Sequence, residues 1–484
     1  MNVVLISTYE LGHQPFGLAS PAAWLTEAGA SVVCIDSSRQ SLDEAAIRHA
    51  DLVAFYLPMH TATRLAIALV PRIRELNPRA HICFYGLYAP VNEPYLRQVG
   101  GQTILGGEFE EGLVRLADRL ATRSQTGHGQ AAVTAAQSEP VISLSRQKFR
   151  VPQRAELPPL KNYAHVIMPD GARRIAGYTE ASRGCKHLCR HCPIVPVYDG
   201  VFRIVDRETV LSDIRQQISA GAEHITFGDP DFLNGPAHAV AIVDELHRTF
   251  PSVTYDVTIK IEHLLKHADV LPRLSDTGCL FVTSAVESVD DAVLEKLDKG
   301  HTRADFLRVV HLFQQSGLTL LPTFVPFTPW TTLSGYCDLL QTVAENDLVA
   351  NVAPIQLAIR LLIPERSRLL DLAEIRETIE PFDSTALAYP WRHADPRVDA
   401  LAREIRAIVE RGEKFGRSRA QIFERVAQAA WDASEATGQP PRIQAASAVP
   451  HLSEAWYCCA EPTDDQFVCI KEVPAAAAPA ENFI

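Results

Sequence analysis

No apolar run in this sequence approaches the roughly 20 residues needed to cross a bilayer; the longest, such as I-C-F-Y-G-L-Y-A, are short and interrupted. The opening M-N-V-V-L-I-S-T-Y-E lacks the basic n-region and small-residue cleavage site of a secretory signal. Both absences point to a cytoplasmic protein without a membrane partner. Basic charge is also short: 46 Lys and Arg stand against 58 Asp and Glu, a formal net charge of −12. A general nucleic-acid binder needs a basic face to neutralise phosphates, so nucleic acid is not expected as a partner. Cysteine is scarce, ten in 484 residues. Six of the ten are clustered, and the chain is long enough to bury a core, which argues against a disulfide framework.

What is present is a repeated alternation of short apolar runs and helical patterns. N-V-V-L-I-S, S-V-V-C-I-D, L-V-A-F-Y-L and A-H-I-C-F-Y-G read as strands near the start, with L-A-S-P-A-A-W-L-T-E-A-G and Leu65–Leu76 as helices between them. Buried strands alternating with helices predict a doubly wound parallel sheet over residues 1–120, with ligands at the carboxyl ends of its strands. The loop Y-E-L-G-H-Q-P-F-G lies at such an end. Residues 121–160 are rich in Gln, Ala, Ser and Gly and read as a linker. A second α/β stretch, residues 161–372, carries strand-like runs such as H-I-T-F-G-D, T-Y-D-V-T-I-K and L-F-V-T-S-A-V-E. It predicts a partial or full β/α barrel with its chemistry at the carboxyl ends of the strands. Residues 373–445 are read as a helical C-terminal region and 446–484 as a polar tail.

The cysteines fall into three groups. Cys34, Cys83, Cys279 and Cys337 sit singly in apolar contexts and read as core residues. Cys185, Cys189 and Cys192 are crowded into R-G-C-K-H-L-C-R-H-C-P at the spacing C-x3-C-x2-C. Three thiolates in one loop can hold three irons of a cubane and leave the fourth iron open to a small molecule. Zinc is the competitor, with His187 and His191 available in the same loop, although structural zinc wants four ligands and usually a C-x2-C pair. Cys458 and Cys459 are adjacent in W-Y-C-C-A-E-P, and Cys469 follows. Vicinal cysteines rarely bond to each other, and three soft thiolates suit a thiophilic element. A redox-sensitive trio without a ligand is the plainer reading.

C-K-H-L-C-R-H-C resembles the signature of the radical SAM superfamily. The resemblance implies a [4Fe-4S] cluster on Cys185, Cys189 and Cys192, with S-adenosylmethionine (SAM) chelating the open iron and His191 against the adenine. It continues downstream, over roughly residues 180–370. F-G-D-P-D-F-L-N resembles the segment that receives the SAM amino group, through Asp229 and Asp231. A-V-E-S followed by L-x-K-L-x-K-G-H-T resembles the motif whose Glu287 and Ser288 face the SAM ribose or methionine part. Q-L-A-I-R-L-L-I-P resembles the last barrel strand, with Gln356 and Arg360 pointing inward.

The N-terminal region resembles the Rossmann-like cobalamin-binding domain that precedes many radical SAM modules. The D-x-H-x-x-G motif of histidine-on cobalamin binding is replaced by E-L-G-H-Q-P-F-G. His13 therefore has two open readings, a group approaching a cleft ligand or a surface-loop histidine, and the domain itself could be a scaffold. The tail resembles the CUAEP or CCAEP group of radical SAM proteins. That group is similar in plan to enzymes with an R-C-C-L-K-C tail, which include the arsinothricin-biosynthesis enzyme that moves the 3-amino-3-carboxypropyl group of SAM onto arsenite.

From these resemblances follows a favoured expectation: reductive SAM cleavage, with an electron from a flavodoxin- or ferredoxin-type donor. The SAM-derived group, 3-amino-3-carboxypropyl, then passes to a soft acceptor such as trivalent arsenic held by Cys458, Cys459 and Cys469. The alternatives are a cobalamin-dependent radical SAM methyltransferase acting on a small molecule, and a non-catalytic iron–sulfur or cobalamin sensor.

Overall fold

The computed structural model describes residues 1–126, 139–434, 439–441, 443, 447–454 and 467. Cys458, Cys459 and Cys469 lie outside the described residues.

The N-terminal region is a parallel sheet of β1 (Asn2–Ser7), β2 (Ser31–Asp36), β3 (Leu52–Tyr56), β4 (His81–Tyr85), β5 (Thr103–Gly107) and β6 (Ile142–Ser143). Its order is β2-β1-β3-β4-β5-β6. β3 is buried along its whole length and β1 along all but its first residue, as expected for strands covered by helices on both faces. Separate apolar clusters fill the two faces, one around Val4, Phe55 and Phe84, the other around Leu5, Leu18 and Tyr85. The chain reverses direction across the sheet between β1 and β3, so the crevice for a ligand opens at their carboxyl ends. Helix Phe16–Glu27 starts there. β6 comes from the stretch read as a linker and pairs with Gly106 and Gly107.

The second region is built on a curled, open sheet. Its members, in chain order, are β7 (His165–Ile167), β8 (Arg173–Thr179), the ribbon β9 (Ser182–Gly184) and β10 (Phe202–Ile204), β11 (His224–Phe227), β12 (Thr254–Thr258), β13 (Cys279–Glu287), β14 (Thr319–Phe324) and β15 (His451–Leu452). Leaving out the ribbon, the sheet order is β14-β13-β12-β11-β8-β7-β15. The pairs from β8 to β14 are parallel, and β7 and β15 add antiparallel edges. This is the partial form of the expected barrel. Local sequence sets its helix starts. Asp206 caps Arg207–Ser219, and Thr302 with Asp305 forms a capping box ahead of Arg303–Ser316, which ends at Gly317 in the left-handed conformation.

One expected strand is absent. Pro354–Leu357 is a single 3-10 turn, and Arg360 joins the barrel only through an isolated bridge to Phe327. The helices Pro396–Lys414 and Arg419–Ser434 pack their apolar stripes, including Leu401, Ile405, Phe423 and Val426, into the barrel core. Cys34, Cys83, Cys279 and Cys337 are all buried and free.

Candidate active site

The ribbon β9–β10 presents the loop 185–192 to the carboxyl ends of the barrel strands. Gly184 lets the chain enter this loop. It has φ +74°, and a Cβ there would lie 2.4 Å from the Val201 carbonyl oxygen, so a side chain at this position forces the backbone to shift. Arg190 anchors the far side of the loop. Its backbone N–H donates to the Leu297 carbonyl, and its guanidinium donates to the carbonyls of Glu295 and Lys296. These carbonyls belong to the last turn of helix Asp291–Leu297, where a cation is favoured. Asn234 accepts from the Lys186 N–H and donates to the Gly184 carbonyl.

Cys185, Cys189 and Cys192 line one cavity and form no disulfide. Burial pushes the Cys185 thiol up to about 11. Three free thiols on one wall, with open space in front of them, fit a cubane cluster with one iron unligated by protein.

Glu287 is the most constrained acid here. It follows a register shift between β13 and β14 and takes φ +68°, a conformation that a non-glycine residue rarely adopts outside functional sites. Its carboxylate meets His191 Nε2 at 3.1 Å and Lys299 Nζ at 3.3 Å. Burial raises its pKa, but Lys299 and His191 more than offset this and hold it down at about 2.

Asp229 is spent on the backbone around it. Its carboxylate accepts from the Ala181 N–H and the Ser182 hydroxyl, and burial pushes it up to about 7. Asp231 caps the next turn through Leu233 N–H and turns its other oxygen toward His187 and His263. All of these line the cavity except Ser182's neighbour Ala181 and the pair Leu233 and His263.

Three expected residues lie elsewhere. Ser288 Oγ accepts from the Asp290 N–H in a turn and is not among the cavity residues. Gln356 is buried and accepts from the Phe324 N–H. Arg360 stacks over Trp391 at 3.4 Å and pairs with Asp399 at 2.7 Å. Because the expected last strand is a turn, neither Gln356 nor Arg360 reaches the cavity in front of the cysteines.

The opposite wall of the same cavity is N-terminal. Glu10 and His13 follow β1, Tyr56 ends β3 with Pro58 and Met59 after it, Leu87 and Tyr88 follow β4, and Phe109 follows β5. The space between the walls is about 1930 Å³, with open solvent at the mouth included. His13 is buried under Tyr178, ring centres 4.7 Å apart, and is therefore no surface histidine. Burial lowers its pKa to about 4, so its ring is neutral. Glu10 is also buried, with Oε2 unpartnered, and burial keeps its carboxyl protonated well above the usual range. A neutral, largely aromatic wall beside the thiols fits a large cofactor held by shape more than by charge.

Sequence reasoning missed the residues that join the two walls. Arg183, just before the cluster loop, is buried. It donates to both oxygens of Glu110 at 2.7 and 3.0 Å and to Glu180 at 2.6 Å, and packs among Phe16, Phe109 and Phe149. Arg154 pairs with Asp213 and donates to Gln14 and the Tyr178 carbonyl. Tyr163 donates to Asp36. The one local hint was Arg183's place beside the first thiol. Glu180 is only three residues away, but its bidentate partner, Glu110, stands 73 residues upstream. At the rim, His451 and Leu452 pair with Ile167 and Val166, and Glu454 meets Tyr9 and Arg39. Residues 451–454 thus lie at the mouth of the cleft.

Residues 179–331 match the Radical SAM superfamily. The chain carries a radical SAM domain. Such a domain uses a [4Fe-4S] cluster and SAM, and the thiol loop is where the cluster would sit. The tRNA-2-methylthio-N(6)-dimethylallyladenosine synthase of Desulfosudis oleivorans is 26% identical over 205 residues, 39% of this chain and 41% of that protein. The bacteriochlorophyllide d C-8(2)-methyltransferase of Chlorobaculum tepidum is 22% identical over 231 residues, 43% of this chain and 49% of that protein. The chain thus spans less than half the length of either relative. Among solved structures, the cobalamin-dependent radical SAM enzyme OxsB, with aqua-cobalamin and SAM bound, aligns over 85% of this chain and 66% of its own, with TM-score 0.67 and 14% identity. The radical SAM methyltransferase TsrM from Kitasatospora setae, with tryptophan and a SAM analogue bound, aligns over 72% of each chain, with TM-score 0.56 and 16% identity. The likeness to OxsB and TsrM is one of fold: a Rossmann-like sheet facing a curled radical SAM sheet. Among the described residues no helix is long and apolar enough to cross a membrane.

Proposed function

We propose that this chain is a cobalamin-dependent radical SAM methyltransferase acting on a small-molecule substrate. One observation carries the reading: the carboxyl ends of β1, β3, β4 and β5 and the three cluster cysteines face each other across a single cleft. Bound there, the cluster and SAM supply reductive carbon–sulfur cleavage, and cobalamin supplies a methyl carrier. The chain's own residues do the rest. Glu287, fixed by Lys299 and His191, is an ionised carboxylate on the cluster side. Asp229 holds the backbone at Ala181 and Ser182, and so the approach to the thiol loop. Tyr178, Tyr56 and Phe109 line a dry wall that keeps water from a reactive intermediate. A flavodoxin- or ferredoxin-type protein is the proposed electron donor. The net charge of −12 disfavours the tRNA substrate of the methylthio-synthase relatives.

Transfer of the aminocarboxypropyl group to arsenic, the favoured expectation from the tail, gains no support. Its three thiols lie outside the described residues, and the two curated relatives and TsrM are named for methylthiolation or methylation. The deciding experiment reconstitutes the chain anaerobically with cluster and hydroxocobalamin, adds SAM and reductant, and follows SAM-derived products by mass spectrometry. Retained cobalamin, with S-adenosylhomocysteine formed only in its presence, is the expected result. Arsenite-dependent 5′-methylthioadenosine without cobalamin would restore the aminocarboxypropyl reading.

A further inference from the structure

Beside the cluster loop stands a second set of donors that the three thiols do not need. Asp231 Oδ2 lies 2.6 Å from His263 Nδ1 and 3.4 Å from His187 Nε2. The two imidazole rings are 4.7 Å apart and tilted by 59°. Asp231 and His263 are buried, with 1% and 7% of the side chain exposed, and His187 nearly so at 13%. Asp231 Oδ2, His187 Nε2 and His263 Nδ1 all lack a well-aligned hydrogen-bond partner. Buried polar atoms that converge without proper hydrogen bonds call for an explanation, and an ion among them is one.

Each donor is aimed by its surroundings. Asp231 caps the turn Phe232–Asn234 through its other oxygen, which leaves Oδ2 to face the histidines. His187 comes from the cluster loop, and its second nitrogen, Nδ1, faces the Glu262 carboxylate at 3.4 Å. A carboxylate on the far nitrogen is the usual way a metal-bound histidine is held in one tautomer. His263 comes from the helix Ile261–Lys266 after β12. Two ligands of a tetrahedral zinc, at bonds of about 2.0 Å, lie about 3.3 Å apart. The 3.4 Å edge meets this, whereas the 2.6 Å edge has to widen for one ion to bridge Asp231 and His263.

We propose that His187, Asp231 and His263 form a mononuclear divalent-metal site beside the iron–sulfur cluster, suited to zinc or ferrous iron, and that Glu262 orients His187. Two imidazoles and a carboxylate select such borderline ions over calcium or magnesium. Cys185 borders the site, since its Sγ lies within 4.8 Å of donor atoms of both His187 and Asp231. The ion ties the cluster loop to the ends of β11 and β12. It assigns Asp231 Oδ2 to a metal, where the family resemblance gave it to the SAM amino group. The site does not depend on the proposed methyl transfer.

The test uses the full chain with its cluster rebuilt anaerobically, stripped of loose metal and titrated with Zn²⁺ against a chromophoric chelator, with iron and zinc counted by elemental analysis. About one tightly held zinc per chain, beyond the cluster iron, is expected. His263→Ala should abolish this zinc while the cluster's visible absorption and iron content persist. Glu262→Gln, at a half-exposed position that tolerates change, should weaken zinc about ten-fold. The proposal fails if the wild-type chain holds no zinc above background, or if both variants bind zinc as the wild type does. It also fails if zinc is displaced as the cluster forms, since the thiolates would then be its ligands.

Discussion

On the barrel wall of the cleft stand thiols, imidazoles and ionised carboxylates, each aimed by a short local device: a glycine turn, a bulge, a helix end. On the N-terminal wall, rings dominate, and burial favours the neutral form of both its carboxyl, Glu10, and its imidazole, His13. A cofactor bonded to donor atoms needs particular residues at particular spacings. A cofactor held by shape needs only that several strand ends leave room. The first kind of site is written in a motif and the second in a topology, and this chain places one of each across a single cleft.

The largest effect tests the bonded wall. Cys189→Ala should remove the cluster absorption and all reductant-dependent SAM cleavage, while circular dichroism shows the N-terminal α/β content intact. Loss of cobalamin retention in the same variant would mean that the two walls are not separable.

Arg183→Ala attacks the joint between them. It strands Glu110 without its buried bidentate partner, at a cost of about 3–5 kcal/mol, read as a lower denaturant midpoint. Because Arg183 lies beside Gly184 and Cys185, cluster retention should fall with it. Unchanged stability would show that the aromatic packing alone holds the domains together.

The smallest effect probes the shape wall through pH. His13 titrates near 4 when folded, against an ordinary 6.5, because of its burial. Between these values the unfolded chain takes up a proton that the native chain refuses. The native state therefore keeps its full advantage above pH 6.5 and loses about 3 kcal/mol as the pH falls toward 4. His13→Gln should flatten that part of the pH dependence, measured as the difference in urea midpoint between pH 7 and 4.5. An unchanged slope would return His13 to a solvated setting.

Much of this was legible beforehand because periodicity reports burial. β1 to β4, the barrel strands from β11 to β14 and the long helices follow apolar runs that could not be left in water. The thiol loop was legible because ligand spacing is local. The expected strand around Gln356 and Arg360 failed because an apolar run is ambiguous: here it is buried as a turn under the C-terminal helices, with Arg360 drawn to Trp391 and Asp399. Ser288 failed for a similar reason. Its hydroxyl found a nearer partner in the turn that caps helix Asp291–Leu297.

By itself the sequence determined the alternation of strands and helices, the thiol loop and the family of its radical SAM domain, since each rests on contacts or ligand spacings a few residues long. Only the tertiary structure decided that Arg183 meets Glu110, that His13 lies beneath Tyr178, and that His187, Asp231 and His263 converge. Those meetings join residues from distant strand ends, and no local preference records which ends a folded sheet will bring together.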